Sequence, residues 1–539
     1  MTNATAAGIR VVEQLGEGQP IAHAATSITA FVGRVLRGPI NQPILVSSFA
    51  DFSANFGGLW QPSTLSYAIE QYFENGGTAA LVVRVANGAK PPTLTLPTDG
   101  RPLQLVAQNP GTREFLRAAV DYDGIEPGDS TTYNLTLQRV RAVGLEHIEE
   151  QEIYPRVSTM PDSARRVEIL LGASLLARAL GPAPSERPWP SARGQEAYVA
   201  CNSDGHDGAA LSDYDLIGSA SERTGLFALT EADYFNFLYL PPLSRTQSVG
   251  PSALLVATRF CRSRHALLLM DPPADWVDPL DALAGAGDLP LRSEDAVMFF
   301  PPVLAYDRLR ARFESFAPSA AAAGMLSRGA GVIDGIGRGL DLDGALRPGL
   351  RPSVIVDEAL RERLSCVGIN VLQSVRSPKR IPARTMAGLH ARTPEQSYLQ
   401  YRRMTLFLAA SVERGTRWSI FHVSEPGLWR RLTEQVSQFF KELQDQGLFG
   451  EEASQQSWFV LCDGRLNLRE APMVSLLYGI AARREGQFQA FMVTHSVSQS
   501  TVRSVTLNRL HWPEFSAGRF SPENDEHLDR FIHALGIRS

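Results

Sequence analysis

Cysteine is scarce in this chain. Cys201, Cys261, Cys366 and Cys462 are the only four in 539 residues, they lie far apart, and neither a CxxC nor clustered histidines accompany them. A disulfide framework and a zinc site are thereby disfavoured, and a reducing compartment is the simpler setting. Long hydrophobic runs are missing too: stretches such as Ala266–Met270 fall far short of the roughly eighteen residues a membrane helix needs. Met1–Arg10 has neither the basic start nor the apolar run of a secretory signal, so none is expected. There is no excess of positive charge, with 52 basic against 57 acidic residues and a formal charge of -5. The whole surface is therefore no glove for nucleic acid. Lysine occurs only at positions 90, 379 and 441, so nearly all cationic charge is arginine.

Linear catalytic signatures are absent as well. No GxxxxGK[ST], HExxH or GxSxG occurs, which removes the P-loop, the zincin helix and the nucleophile elbow. Gly335, Gly337 and Gly339 form a loose glycine run with no helix pattern behind it, and read as a flexible loop. Asp341, Asp343 and Gly344 imitate a calcium loop, but Pro352 stands where an EF-hand needs its bidentate glutamate. His206, between Asp204 and Asp207, reads as a Gly-rich turn. No catalytic residue, cofactor or metal ligand is expected.

What is present is organised around Tyr401–Trp418. Tyr401, Met404, Leu408 and Val412 form one helical stripe that Gly415 can close in a left-handed cap. Arg402, Arg403, Arg414 and Arg417 crowd its ends. Trp418–Val423 then reads as a short strand, and a helix from about Pro426 follows, with Leu428, Leu432, Val436, Phe439, Phe440 and Leu443 at helical spacing before Gly447. Trp458–Cys462 reads as a buried strand. Between Arg376 and Arg417 nine basic residues face only Glu395 and Glu413, the one strong charge asymmetry in the chain. Pairing with carboxylates elsewhere in the chain and a basic face for an acidic partner are both open readings.

From the start, Ile9, Val11, Glu13 and Leu15 alternate with Arg10, Val12 and Gln14 before Gly16 and Gly18. A lone strand needs a sheet to join, in its own domain or in a neighbouring subunit. Ser27–Val32 and Ile44–Val46 read as strands, Ser48 with Asp51 caps a short helix ending at Phe56, and Leu65, Ile69 and Tyr72 mark a second helix stopped by Asn75, Gly76 and Gly77. Ala79–Val85 reads as a buried strand. The next stretch, to about Ala200, is an insertion of mostly β character: Tyr133, Leu135 and Leu137 alternate, the acidic run Glu146–Glu152 suits a solvated edge or hairpin, and Asp162 can cap a helix carrying Ala164, Val167 and Leu171. Leu226–Asp271 alternates helix and strand patterns, and Pro301 to about Pro352 reads as long loop apart from Ala317–Met325. Arg363–Gln373 holds another buried strand. Gln489, Phe491, Val493, His495 and Val497 alternate as a late strand, the natural counterpart of the N-terminal arm, and Leu528, Phe531, Ile532 and Leu535 make a last short helix.

Two groups of motifs carry a resemblance. TSITAFVG, GP, FGG, NGG and LVVRV, in that order after the GIRVVEQ arm, resemble the N-terminal region of contractile tail sheath proteins; SVERGTRW, PGLW, FF, QGLFG and FVLCD resemble their C-terminal domain. The resemblance covers most of residues 8 to 90 and 200 to 500. It implies an α/β (α+β) multidomain chain: an N-terminal arm at 1–27, a middle α/β domain from 28–90 and 200–355, a β-rich protruding insertion at 91–199, a mixed-sheet inner domain at 356–505, and an extension at 506–539 that the family usually lacks. It implies a structural subunit in stacked hexameric rings around a tail tube, part of a phage tail or injection particle assembled in the bacterial cytoplasm. Contraction would drive the tube through a target envelope without nucleotide. Its partners would be neighbouring subunits, the tube protein, the baseplate and the tail terminator, with no nucleic acid and no membrane insertion. On this reading Ile9, Val11, Leu15, Phe491, Val493 and Val497 link subunits, Gly16 and Gly18 are hinges, and Arg402, Arg403, Arg414 and Arg417 are candidates to face the tube. The competing expectation is a soluble multidomain α/β enzyme whose site has no linear motif.

Overall fold

The computed structural model describes residues 20–141, 147–191, 198–328, 346–374, 381–391, 397–449, 457–480 and 489–505. The chain divides into two compact units, one of Ser27–Arg328 with Leu342–Ile381, the other of Pro382–Ser539 with Met1–Thr26 and Gly329–Asp341.

The first unit begins with strands β1 (Ile28–Gly33), β2 (Pro43–Val46) and β3 (Ala79–Arg84). In β1 every residue after Ile28 is buried, which is what an apolar run without alternation gives when a strand is covered on both faces. The helix Phe49–Phe56 starts where its cap was read: Ser48 Oγ accepts from the Asp51 amide at 3.1 Å, and Gly57 leaves the helix at φ +89°. Thr64–Glu74 follows, burying Leu65, Ile69 and Tyr72.

The stretch that follows β3 contributes β4 (Thr93–Leu96), β5 (Leu103–Ala107), β6 (Leu116–Asp121), β7 (Thr132–Val140), β8 (Ile148–Ser158), β9 (Ala177–Ala179) and β10 (Val199–Ala200). They form two antiparallel sheets, β10-β6-β7-β8 and β4-β5-β9, that share one core built on Leu94, Leu105, Leu116, Leu135 and Leu137. β8, which carries the acidic run, lies at a sheet edge. Asp162 caps no helix: the helix is only Val167–Leu170, because Arg166 is bridged to Ser158 and holds an extended backbone just before it.

β11 (Phe237–Tyr239), β12 (Leu267–Met270) and β13 (Ala296–Phe300) come next, with the helices Pro251–Ser263 and Pro279–Gly285 between them. The expected loop from Pro301 is instead partly ordered. β14 (Val303–Asp307) and β15 (Arg312–Phe316) make a hairpin joined by β16 (Arg351–Pro352), because Asp307 Oδ1 accepts from the amides of Leu309 and Arg310 and closes the turn. The helix Ser319–Leu326 is buried throughout. β17 (Ile369–Val371) completes a seven-stranded sheet of order β17-β13-β12-β11-β1-β3-β2, parallel except for β2.

The second unit holds the helices Leu399–Thr416 and Pro426–Asp445 and an antiparallel sheet of β18 (Trp458–Leu461), β19 (Met473–Ile480), β20 (Gln489–Ser496) and β21 (Ser500–Val505), in that order. Leu428, Leu432, Val436, Phe439, Phe440 and Leu443 are all buried, as their spacing requires. Three expectations fail here. Trp418–Val423 is no strand: Arg417–Phe421 is a 3₁₀ turn that tightens the helix end, held by the buried Trp418 indole donating to Gln435 Oε1 at 3.0 Å. β18 is a half-buried edge strand rather than a buried one, since among the described residues only β19 pairs with it. Gly415 is no left-handed cap but lies inside the helix, where a Cβ would come within 2.7 Å of the Ile21 side chain.

Candidate assembly interface

The contact with Ile21 shows how the start of the described chain is held. Residues 20–26 run along the helix Leu399–Thr416: Ile21 lies against Gly415, the Ala24 amide donates to Ser411 Oγ at 3.0 Å, and the Arg403 guanidinium donates to the Thr26 carbonyl at 3.1 Å. His23 meets Phe407 and Phe439 edge-on, with ring centroids 5.9 and 5.7 Å apart. A chain with few regular hydrogen bonds here is thus fixed by side chains from a helix almost four hundred residues away. Ile9, Val11, Leu15, Gly16 and Gly18, which precede this anchor, lie outside the described residues, as does the helix expected at Leu528–Leu535. So do Gly335–Gly339, the calcium-like run from Asp341 to Gly344, and Arg376, Lys379, Arg380, Arg392 and Glu395.

The four arginines of the central helix are not one group. Arg402 and Arg403 are buried among the helix's neighbours, whereas Arg414 and Arg417 are exposed at its C-terminal end. Sequence spacing brought the four together; packing separates them. Cations at a helix C-terminus also answer the helix dipole.

Phe491 and Val493 are buried in β20, and their main chain is paired on both sides: Phe491 with Tyr478 and Ser504, Val493 with Leu476 and Val502. Val497 is past the end of the strand and exposed. Within the sheet, the outer sides of β18 and β21 carry no partner strand among the described residues. Unpaired strand edges are templates for strand addition, so any added strand would join there rather than at β20. Sequence alternation alone could not distinguish a central strand from an edge.

One polar group of this sheet is deeply enclosed. His495 in β20 lies between Thr416, whose Oγ1 is 2.7 Å from Nε2, and Ser500, whose Oγ is 2.8 Å from Nδ1. Burial lowers its pKa to about 4, with the Glu413 carboxylate opposing and the Arg417 guanidinium adding to the effect.

Among the described residues no three His, Cys, Asp or Glu side chains gather in a way that could hold a metal ion, and no helix is long and apolar enough to cross a membrane. The residues around His206 tie loops together. Asp207 accepts from the Thr112 amide and hydroxyl, Asp204 does the same for Thr93, and His206 Nδ1 accepts from the Gly208 amide.

No protein-family model and no curated protein matches the sequence. Solved structures do match. A sheath tail protein from Listeria innocua superposes with a TM-score of 0.58 at 12% identity, over 89% of this chain and 97% of that one. The sheath of an extracellular contractile injection system in its contracted state gives 0.49 at 14% identity, over 90% and 96%. The contracted helical sheath of the anti-feeding prophage gives 0.48 at 15% identity, over 90% and 98%. At such identities the likeness is one of fold: this chain has the fold of the Listeria sheath tail protein, a mixed α/β architecture of several sheets.

Proposed function

We propose that this chain is a structural subunit of a contractile sheath. The observation that supports the reading most is the Listeria sheath tail protein's fold, shared over 97% of its length. In this reading subunits form hexameric rings stacked around a tail tube. The assembly contracts to drive the tube through a target envelope, with the baseplate and a terminator protein at its ends. Residues 1–27 are the linking arm, pivoting at Gly16 and Gly18, and Ile9, Val11 and Leu15 are its strand, added to the open edge of β18 or β21 in a neighbour. Each hydrogen bond nets only about 0.5–1.5 kcal/mol, but several per link in a closed lattice accumulate. The insertion at 91–199 projects outward, and Arg414 and Arg417 are the members of the arginine group placed to meet an acidic tube surface. Energy for contraction is held in the lattice, so the chain does its work without catalysis.

Negative-stain electron microscopy of the purified chain tests the reading. Tubular or ring-stacked polymers are expected from the full chain, and a folded monomer that no longer polymerises from a variant lacking residues 1–18. A full chain that remains a small discrete oligomer under all conditions refutes the sheath reading, whereas normal tubes from the truncated variant refute only the role of the arm.

A further inference from the structure

At the carboxyl ends of β11, β12 and β13 the first unit opens into a cavity of about 250 Å³. We propose that this cavity is a binding site for a guanidinium or ammonium group carried on an apolar stem.

The topology places a crevice there. β3 lies on one side of β1 while β11, β12 and β13 lie on the other, so the winding of the sheet reverses at β1 and β11. In open parallel sheets ligands favour the carboxyl ends of strands near such a reversal. The cavity is at the small end of ligand pockets, sized for one side-chain-like group rather than a cofactor.

Its chemistry selects the charge. Asp271 follows β12 directly and lines the cavity. One carboxylate oxygen accepts the Tyr239 hydroxyl at 2.6 Å, the other the Ser319 amide at 3.0 Å. A carboxylate offers about four acceptor positions, so capacity is left over on the cavity side. Among the described residues no cation forms an ion pair with it, and burial pushes its pKa up to about 6. The nearby Asp307 is the contrast. It is paired with Arg245 at 2.7 Å and accepts from the Tyr67 hydroxyl at 3.0 Å, and its pKa is lowered even though burial opposes this. Arg245 also lines the cavity, but its guanidinium is neutralised by Asp307 and Glu314 and packs over the Tyr67 and Phe316 rings at 4.9 and 4.7 Å.

The walls select the stem. Pro242, Pro272, Pro302 and Pro318 line the cavity along with Phe316, rigid apolar surface of the kind that covers the methylenes of a long cationic side chain. An anion would be repelled by Asp271. A neutral apolar group would leave the carboxylate buried without a counter-charge, which costs free energy that a cation restores.

The experiment is a calorimetric titration of the full chain with propylguanidinium and with propylurea, its uncharged analogue of the same shape. Saturable binding of propylguanidinium alone is expected, weakened about tenfold or more in Asp271→Asn, as for loss of a charged hydrogen bond. Gln247→Trp, at the exposed rim, should block binding while leaving the melting curve unchanged, and covers the case in which Asp271→Asn fails to fold. Equal binding of both probes, or binding that survives both substitutions in folded protein, overturns the proposal. The source of the natural group follows from repeating the titration on self-associated chain. Lost binding there assigns the cavity to an arginine side chain of a second copy; retained binding, or a chain that stays monomeric, assigns it to a free small cation. The site needs only the first unit, so its failure leaves the sheath reading standing, and the reverse also holds.

Discussion

In the unit built on the parallel sheet, burial raises the pKa of several carboxyl groups, among them Glu70 to about 7 and Asp271 to about 6; in the unit built on the antiparallel sheet, burial lowers an imidazole, His495, to about 4. The physical cause is shared, since a poorly solvated site disfavours the charged form. The consequence for stability is opposite. A buried histidine with a depressed pKa binds fewer protons folded than unfolded between about pH 6.5 and 4, so its unit loses stability as pH falls through that window. A buried carboxyl with a raised pKa binds more protons folded than unfolded, so its own contribution to stability falls as pH rises from about 4.5 towards 7. Buried groups of opposite charge type thus make opposed contributions, while Asp307, Glu149 and Glu168 of the first unit, held below the usual carboxylate range, contribute with the histidine's sign.

The largest expected effect is at His495. Its displacement corresponds to about 3 kcal/mol, fully present above about pH 6.5 and gone near pH 4. In His495→Gln the steep loss of protection in β20 between those values should flatten, read by hydrogen exchange of the β20 amides, which follows one unit without assuming that both unfold together. Glu413 and Arg417 face the same ring environment and oppose each other there, so they leave the sign to burial. A wild-type protection profile in β20 that is level from pH 7 to 4 would show that the buried His495 ring does not govern this sheet's response to acid.

Glu70, in the helix Thr64–Glu74, gives the opposite sign with a smaller size. Burial is the main cause of its raised pKa, the Glu74 carboxylate adds to it, and Arg308, 3.5 Å away, opposes. With that partner discounted, Glu70→Gln should stabilise the helix by about 2 kcal/mol at pH 8, with the gain fading to nothing near pH 4.5. Exchange of the amides in Thr64–Glu74 reads it. A gain independent of pH would mean that the charge is irrelevant and that the amide merely packs better.

The two sheets also differ in what the sequence shows of them. β12 and β13 are fully buried, and their unbroken apolar runs, LLLM and AVMFF, have no other way to be satisfied. The cap at Ser48 and the stripe from Leu428 to Leu443 are legible for the same reason: local chemistry and local spacing decide them. Where partners are distant, the residues are ambiguous. Trp418–Val423 has strand-like composition, but the Gln435 side chain a helix away captures the indole and no strand pairs there. Arg402 and Arg403 look like surface charge until packing buries them. The Asp271 cavity draws Tyr239, Asp271 and Ser319 from three separate stretches, so no linear pattern could announce it.

Gly415 carries the smallest predicted effect and the sharpest local one. A glycine inside a helix normally costs about 1 kcal/mol relative to alanine, so replacing it should ordinarily help. Here the replacement meets the Ile21 side chain at 2.7 Å, and two branches of a β-branched residue would meet more. Gly415→Val should therefore destabilise by about 1–2 kcal/mol, the overpacking cost outweighing the propensity gain. The readout is local: protection at Ala24, whose amide is held by Ser411, should fall before that of the helix itself. Ile21→Ala removes a buried side chain and destabilises by itself, but it should cost markedly less in the Gly415→Val background than in the unsubstituted chain, because there it also removes the obstacle. If the two substitutions are simply additive, residues 20–26 are not seated on this helix in solution, and the anchor from which the N-terminal arm is proposed to reach a neighbour is lost with them.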